Sequence, residues 1–283
     1  MPAFQPLTLF VTGVGSGFGR ELAVAALAEG HRVVGTLRRA EACAEFEALA
    51  PGRAFARVLD VTDADAVFAT VAEIETSVGA IDVLVNNAGY GLEGVFEETP
   101  LAEVRRQFET NVFGAISVMQ AVLPYMRGRR GGRILNITSM GGFATFPGLS
   151  FYHGTKFALE GISESVGKEV AQFGIFVTAV APGGFRTDWA GRSMTRAART
   201  IADYDALFDP LRATRKARSG KQLGDPKKAA RAMLAVISAE APPAHLLLGS
   251  DALARVGEKI AALQADIEAW KDLTVSTDAE SDA

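Results

Sequence analysis

Short apolar runs alternate with amphipathic stretches along almost the whole chain. LTLFVTG (7–13), HRVVGTL (31–37), RAFARVLDV (53–61), IDVLVNNAG (81–89), GRILNITS (132–139), IFVTAVAP (175–182) and AHLLLGS (244–250) read as strands. Most carry apolar residues at consecutive positions, the pattern of strands covered on both faces. Between them lie helical patterns. Val67, Val71, Ile74 and Val78 share one face of 62–79, and Val104, Phe108, Val112, Ala115, Met119 and Val122 one face of 101–126. In 151–173 the predicted buried stripe is Phe157, Ile162, Val166, Val170 and Phe173. Seven strands interleaved with helices predict an α/β fold: a single doubly wound domain over 1–250, with a seven-stranded parallel sheet flanked by helices.

Two regions break this rhythm. Residues 188–221 show no strand pattern and hold eight Lys/Arg against four Asp. A connection this long inside a compact domain is usually functional, which makes it a candidate substrate lid. Residues 251–283 follow the last strand as a C-terminal helix and acidic tail. Leu253, Val256, Ile260, Leu263, Ile267 and Trp270 form a helical stripe, followed by TVSTDAESDA. Such a stripe is too apolar to stay wet, so the helix is expected to pack on its own subunit or on a partner's.

Composition narrows the picture. With 283 residues, 48% of them apolar, the chain can bury a large core as one unit. A net charge of −4 argues against a nucleic-acid partner or an anionic membrane surface. Cys43 has no second cysteine to pair with, which fits a reducing compartment. The N-terminus shows no export signal, and no apolar run approaches the ~20 residues of a membrane span. A cytoplasmic protein is expected. His31, His153 and His245 are scattered without metal-ligand spacing, so no metal is expected.

The stretch FVTGVGSGFGRELAVAALAEG is strand, glycine turn and helix. In that context a glycine cluster reads as a dinucleotide site of the Rossmann type. Gly13 permits the tight turn, Gly17 lets backbone approach a pyrophosphate, and Gly19 allows close helix–sheet packing. Ser16 and Phe18 sit within the same turn. The helix N-terminus then faces the diphosphate. At the end of the second strand, where an acid would hold the ribose 2′-hydroxyl of NAD(H), the chain reads VVGTLRRAEA. Leu37 takes that place and Arg38 and Arg39 follow, so NADP(H) is favoured over NAD(H). Arg39 reads equally as a solvated charge.

In SFYHGTKFALEG (150–161) Tyr152 and Lys156 stand one helical turn apart. A cation within about 4–6 Å lowers a phenol's pKa, which prepares a tyrosine for acid–base work. His153 points about 100° away around the helix and reads as a packing or interface residue.

TGVGSGFG, NNAG (86–89), Asn111, Ser139 and YHGTK (152–156) fall in an order and spacing that resemble the short-chain dehydrogenase/reductases. The likeness covers about 7–190 and, more loosely, 225–250. The segment SMGGFATFPGLSFYHGTKFALEG is further similar to the branch containing 17β-hydroxysteroid and retinol dehydrogenases. Phe18, where the family commonly has Ile, and Gly154, commonly Ala or Ser, depart from the pattern without removing a reacting group.

The resemblance implies an oxidoreductase that interconverts a ketone or aldehyde and an alcohol by hydride transfer. Tyr152 would be its acid/base, Lys156 would tune the phenol, Ser139 would polarise the carbonyl and Asn111 would join a water relay. Asp60 and Val61 would lie beside the adenine, and Asn87, Ala88 and Gly89 along the cofactor. Pro182, Gly183, Phe185 and Thr187 would pass the nicotinamide, and Tyr152 and Lys156 would also touch the cofactor. Met140, Phe146 and Trp189, with Ser139 and Tyr152, would contact substrate; Tyr90, Phe143 and Phe185 add to an apolar lining that any of these residues could equally join as core. Family members are commonly homodimers or homotetramers joined through 101–126 and 151–173. The basic residues of 188–221 fit an anionic acyl substrate or a solvated helix face. The rival expectation is a cofactor-sensing or scaffold protein without turnover; such proteins usually lose Tyr, Lys or Ser, and this chain has all three.

Overall fold

The structure, a computed structural model, describes residues 5–279. Its strands are β1 (Thr8–Val11), β2 (Arg32–Leu37), β3 (Ala54–Val58), β4 (Val83–Asn86), β5 (Gly91–Glu93), β6 (Gly132–Ile137), β7 (Ile175–Pro182), β8 (Met194–Arg196) and β9 (His245–Leu248). Seven of them form one parallel sheet in the order β3-β2-β1-β4-β6-β7-β9. The chain runs outward from β1 in one direction, then restarts beside it at β4. Such a reversal opens a crevice at the carboxyl ends of the strands.

Helices cover both faces. They are α1 (Gly17–Ala28), α2 (Cys43–Glu47), α3 (Ala64–Ser77), α4 (Leu101–Phe108), α5 (Gly114–Arg129), α6 (Ser150–Val170), α7 (Asp205–Arg218), α8 (Pro226–Ile237), α9 (Ser250–Ala269) and α10 (Lys271–Val275). One core lies under α1 and α8, with Leu9, Val11, Leu22, Val33, Phe46, Val85, Met233 and Leu234 fully or nearly buried. The other lies under α3, α5 and α6, around Phe10, Val34, Val71, Ile74, Leu84, Val122 and Ile134. Leu9 and Phe10, adjacent in β1, thus face opposite cores, which is why the strands read as unbroken apolar runs. Local chemistry fixes helix starts: Asp63 accepts from the Ala66 amide at 3.0 Å before α3, and Asp225 caps α8 with Pro226 in its first turn.

Two expectations need correction. Along 151–173 Val170 is buried and Ile162, Val166 and Phe173 pack on the core as expected, but Phe157 is exposed, and the buried side of α6 also runs through Tyr152, Thr155, Lys156, Leu159, Glu160 and Ser163. Polar groups face inward there because the helix lies along a functional crevice, which an apolar-only stripe misses. The 188–221 region does hold a strand: β8 pairs in parallel with β5, joining this segment to the loop after β4. Of the α9 stripe Val256 is buried on its own subunit, beside Ala252, whereas Leu253, Ile260, Leu263, Ile267 and Trp270 are exposed. The last four residues of the acidic tail, 280–283, lie outside the described residues. No helix among the described residues is long and apolar enough to cross a membrane.

Candidate active site

The glycine turn is laced to three strand ends. Gly13 (φ 74°) and Gly17 (φ 60°) adopt left-handed backbone that a side chain disfavours. A Cβ on Gly19 would stand 2.5 Å from both Asn87 Nδ2 and Gly13 O, so only glycine lets α1 approach this closely. Asn87 Nδ2 donates to Thr12 O and Gly13 O, each at 2.9 Å. The Thr12 hydroxyl accepts from the Asn87 and Ala88 amides at 3.0 Å, and Thr36 Oγ1 from the Gly13 amide at 3.0 Å. Asn87 therefore holds the turn in shape from behind. Ser16 precedes α1 in extended conformation, and its side chain makes no cap bond to the helix.

The segment after β7 closes over this turn. Thr187 lies 3.7 Å from where a Gly17 Cβ would be, and Phe185 packs edge-on against Phe18 with ring centres 5.1 Å apart. The neighbouring Gly183 and Gly184 lie against Asp251, which accepts from the Gly184 amide at 2.7 Å. Pro182 ends β7, paired with Leu248. Leu37 lies 3.4 Å from a Cβ built on Gly15, which places the following Arg38 at the rim of the crevice. Arg38 is exposed, and no ion pair engages it among the described residues. Asp60 Oδ1 accepts from the Thr62 amide and hydroxyl at 3.0 and 2.8 Å, and Val61 packs against Gly114. These residues, expected to hold a dinucleotide, lie at the carboxyl ends of β1, β2, β3, β4 and β7. The left-handed turn, the close approach at Gly19 and the open N-terminus of α1 fit a diphosphate.

The reacting groups lie beside this edge. Tyr152 and Lys156 are each only 7% exposed, with Lys156 Nζ 5.8 Å from the centre of the phenol ring. The phenol shares a hydrogen bond with the Ser139 hydroxyl, whose oxygen also accepts from the Gly141 amide at 3.0 Å. Lys156 Nζ donates to Ile137 O at 2.7 Å. Burial pushes Tyr152 up to about 12, partly countered by the Ser139 bond. Burial pulls Lys156 down to about 8, and the Glu160 carboxylate works against that fall. Burial therefore decides the phenol's shift, against the lowering expected from its lysine neighbour. The ammonium is drawn to the end of β6, and desolvation of the ring decides the balance.

Asn111 sits in a π-helical turn, Glu109–Phe113, between α4 and α5. Its Oδ1 accepts from the Tyr90 amide at 3.0 Å. Its Nδ2 donates to Tyr90 O at 2.9 Å and to Thr155 Oγ1 at 3.2 Å. The Thr155 hydroxyl donates to Tyr152 O at 2.7 Å, so Asn111 reaches the tyrosine's helix through one intermediary. Ala88 and Gly89 line the same loop; a Cβ on Gly89 would stand 3.0 Å from Asn111 Oδ1. His153 is a bracing residue: Nε2 accepts from the Phe146 amide at 2.9 Å, which leaves Nδ1 to donate to Gly141 O at 2.8 Å.

Sequence reasoning missed Glu160 and His245. Glu160 is buried one turn beyond Lys156, and its carboxylate pairs with His245 Nδ1 at 2.7 Å. Burial raises the Glu160 pKa against the pull of Thr138, His245 and Lys156. The four-residue spacing from Lys156 was the available signal.

On the substrate side, Trp189 packs on Tyr152 with ring centres 5.1 Å apart, and Leu149 and Met194 complete the cluster. Met140 begins the turn after Ser139 and Phe146 packs on His153, whereas Phe143 packs on His245. The basic side chains of 188–221 divide: Arg192, Lys216, Arg218 and Lys221 are exposed to solvent, and the other four are paired internally. Fully buried Glu93 takes Arg212 at 2.8 Å, Arg215 at 3.7 Å and Arg196 at 3.9 Å. Arg199 meets Glu98 at 2.8 Å, Asp205 at 2.6 Å and Asp209 at 3.0 Å. These internal pairs take up half of the eight basic residues that suggested an anionic substrate. Breaking a buried pair leaves its partners uncompensated, so Glu93→Gln is expected to loosen 188–221 by on the order of 3 kcal/mol. Limited proteolysis should then cut this segment faster than in wild type; an unchanged rate would show that the arginines do not clamp it.

Comparison with known proteins agrees with this arrangement. A family model described as short chain dehydrogenase matches residues 7–197. The Botryotinia fuckeliana protein Oxidoreductase BOA17 is 36% identical over 270 residues, covering 95% of this chain and 98% of its own. Human Retinol dehydrogenase 8 is 34% identical over 255 residues, 85% of this chain and 81% of its own. A crystal structure of a short-chain dehydrogenase from Streptomyces avermitilis superposes with a TM-score of 0.91 at 40% identity, covering 98% of this chain and all of that one. ElxO with NADP bound superposes with a TM-score of 0.73 at 26% identity over 88% of this chain and all of its own. The chain belongs to the short-chain dehydrogenase family of oxidoreductases, with a likeness to its retinol dehydrogenase branch.

Proposed function

We propose that this protein is an NADP(H)-dependent oxidoreductase that interconverts a small, apolar ketone or aldehyde with its alcohol, Tyr152 moving the proton. The observation that carries this reading is the buried pair Tyr152 and Lys156, with Ser139 bonded to the phenol, at the same carboxyl end of the sheet as the glycine turn. When bound, the cofactor supplies the hydride. The amides at the start of α1 and the turn at Gly13–Gly19 hold its diphosphate, and the Arg38 guanidinium takes the ribose phosphate.

The substrate oxygen takes hydrogen bonds from the Ser139 and Tyr152 hydroxyls. A phenol pushed up to about 12 keeps its proton at neutral pH, the state a proton donor needs. As negative charge grows on the substrate oxygen, Tyr152 transfers its proton and Ser139 keeps donating. In the reverse direction the same phenol must ionise, which the positive charge of Lys156 would favour. Trp189, Met140 and Phe146 line an apolar place for the substrate, and residues 188–221 act as its lid. The exposed Phe113, Tyr125 and Phe157 on α5, its leading turn and α6 suit a homodimer or homotetramer built through those helices, in a cytoplasmic setting.

Cofactor choice is tested by Arg38→Asp, which is expected to shift preference from NADPH toward NADH in parallel binding titrations. An unchanged preference would assign the phosphate to another group. Tight NADPH binding with no consumption by any carbonyl would favour the scaffold reading instead.

A further inference from the structure

The segment that follows β7 is held from the far side by the start of α9. The Gly183 amide donates to Leu248 O at 2.8 Å, at the end of β9. Three residues beyond Leu248, Asp251 stands in the first turn of α9 and reaches back, its Oδ2 accepting from the Gly184 amide at 2.7 Å. Gly249 (φ 98°) makes the bend between them, and a Cβ there would stand 2.7 Å from Asp251 Oδ1. A Cβ on Gly183 would overlap the same carboxylate, so only glycine lets it lie this close to the end of β7. An acidic residue in a helix's first turn is favoured by the helix's own field. That effect needs no pair of glycines 67 positions away in sequence.

What the carboxylate fixes is a stretch of chain that runs from the glycine turn to the reacting phenol. Phe185 packs edge-on against Phe18, and Thr187 lies 3.7 Å from where a Gly17 Cβ would be. Two residues later Trp189, whose amide donates to Thr187 Oγ1 at 3.4 Å, lies on the Tyr152 ring. In the sheet β7 is on the side of β1 opposite β2, at whose end Arg38 stands. A dinucleotide with its ribose phosphate at Arg38 and its diphosphate at the glycine turn therefore lays its nicotinamide half along 183–187. We propose that Asp251 is a positioning residue for that half: it holds Gly183 and Gly184 so that Phe185 and Thr187 keep their places over the turn. This role rests on the proposed binding of NADP(H). The segment has a second support, since the Gly224 amide donates to Gly184 O at 2.9 Å and the Arg186 amide to Gly224 O at 3.0 Å. Removing the carboxylate should therefore displace 183–187 without unfolding it.

Calorimetric titration of the full chain with NADPH and, separately, with adenosine 2′,5′-bisphosphate tests the assignment. The second probe carries the adenine and the ribose phosphate but no nicotinamide half. Asp251→Ala should weaken NADPH about tenfold, as the loss of one charge-assisted hydrogen bond would, and leave the bisphosphate within about twofold of wild type. A general loosening of the fold would weaken both probes alike. Asp251→Asn keeps an acceptor for the Gly184 amide and should restore most of the NADPH affinity. Gly183→Ala presses on the same carboxylate, so it should cost NADPH affinity in wild type and cost less in the Asp251→Ala protein. Equal losses for the two probes, or NADPH affinity unchanged in Asp251→Ala, would overturn the role of Asp251 while leaving NADPH binding by wild type intact. A wild type that binds neither probe would overturn the cofactor itself, and this role with it.

Discussion

Tyr152→Phe is expected to abolish turnover while leaving nicotinamide binding nearly intact. The substitution removes one hydroxyl and keeps the ring that Trp189, Leu149 and Met194 enclose. Packing around α6 should therefore persist. What disappears is the only tyrosine hydroxyl placed beside Ser139 among the described residues. General acid catalysis typically contributes about 10²–10⁴-fold, and the loss should fall in that range. Calorimetric titration with NADPH and steady-state rates with one carbonyl substrate would measure both sides. Activity persisting within about tenfold of wild type would remove Tyr152 from the chemistry.

Lys156→Met is expected to cost activity and yet stabilise the ligand-free protein at neutral pH. Burial lowers the lysine from its ordinary 10.5 to about 8 in the folded chain. Between these values the unfolded chain holds more protons than the folded one, so stability rises with pH across that window. Below about pH 8 the full penalty is present, about 3 kcal/mol for a shift of this size. Methionine fills a similar volume without charge, but Ile137 O loses its donor, a loss of about 1 kcal/mol. Glu160 keeps His245 and Thr138 as partners. The net gain should be on the order of 2 kcal/mol at pH 7, shrinking as pH rises toward 10.5. Denaturant unfolding at several pH values would show it. A wild type more stable than the variant at pH 7, or a difference that does not change with pH, would mean that the ammonium is well solvated or better paired than its surroundings indicate.

How much of this was legible before the structure depends on what each element buries. The seven strands could be read because both their faces meet apolar helices, so Leu9 and Phe10 are apolar side by side. The glycine turn could be read because Gly13 and Gly17 take left-handed backbone that side chains disfavour and a Cβ on Gly19 would clash with Asn87 and Gly13. Tyr152 and Lys156 declared themselves by their spacing on one helix turn. Part of α6 did not: Ile162, Val166 and Val170 pack on the core as their spacing indicates, but the inner face is also polar at Thr155, Glu160 and Ser163 while Phe157 points outward. The β5–β8 ribbon has three residues per strand, too short for any periodicity. Glu93 finds Arg212 across 119 positions of sequence, and no local signal connects them. The direction of the Tyr152 shift depended on how completely the ring is buried and on where the ammonium is drawn, neither of which spacing determines. For α9 the stripe was plain, but whether its own subunit covers it was a matter of where the helix leaves the sheet.

The most direct test of the chemistry follows a label. Wild type would be incubated with reduced nicotinamide phosphate cofactor carrying deuterium at the transferring ring position, together with a panel of apolar ketones and aldehydes. Mass spectrometry should find one deuterium on the carbinol carbon of at least one product, with wild type far ahead of Tyr152→Phe. Products without label, or equal labelling by the two proteins, would contradict the assignment of Tyr152 as the proton donor to a carbonyl reduced by that cofactor.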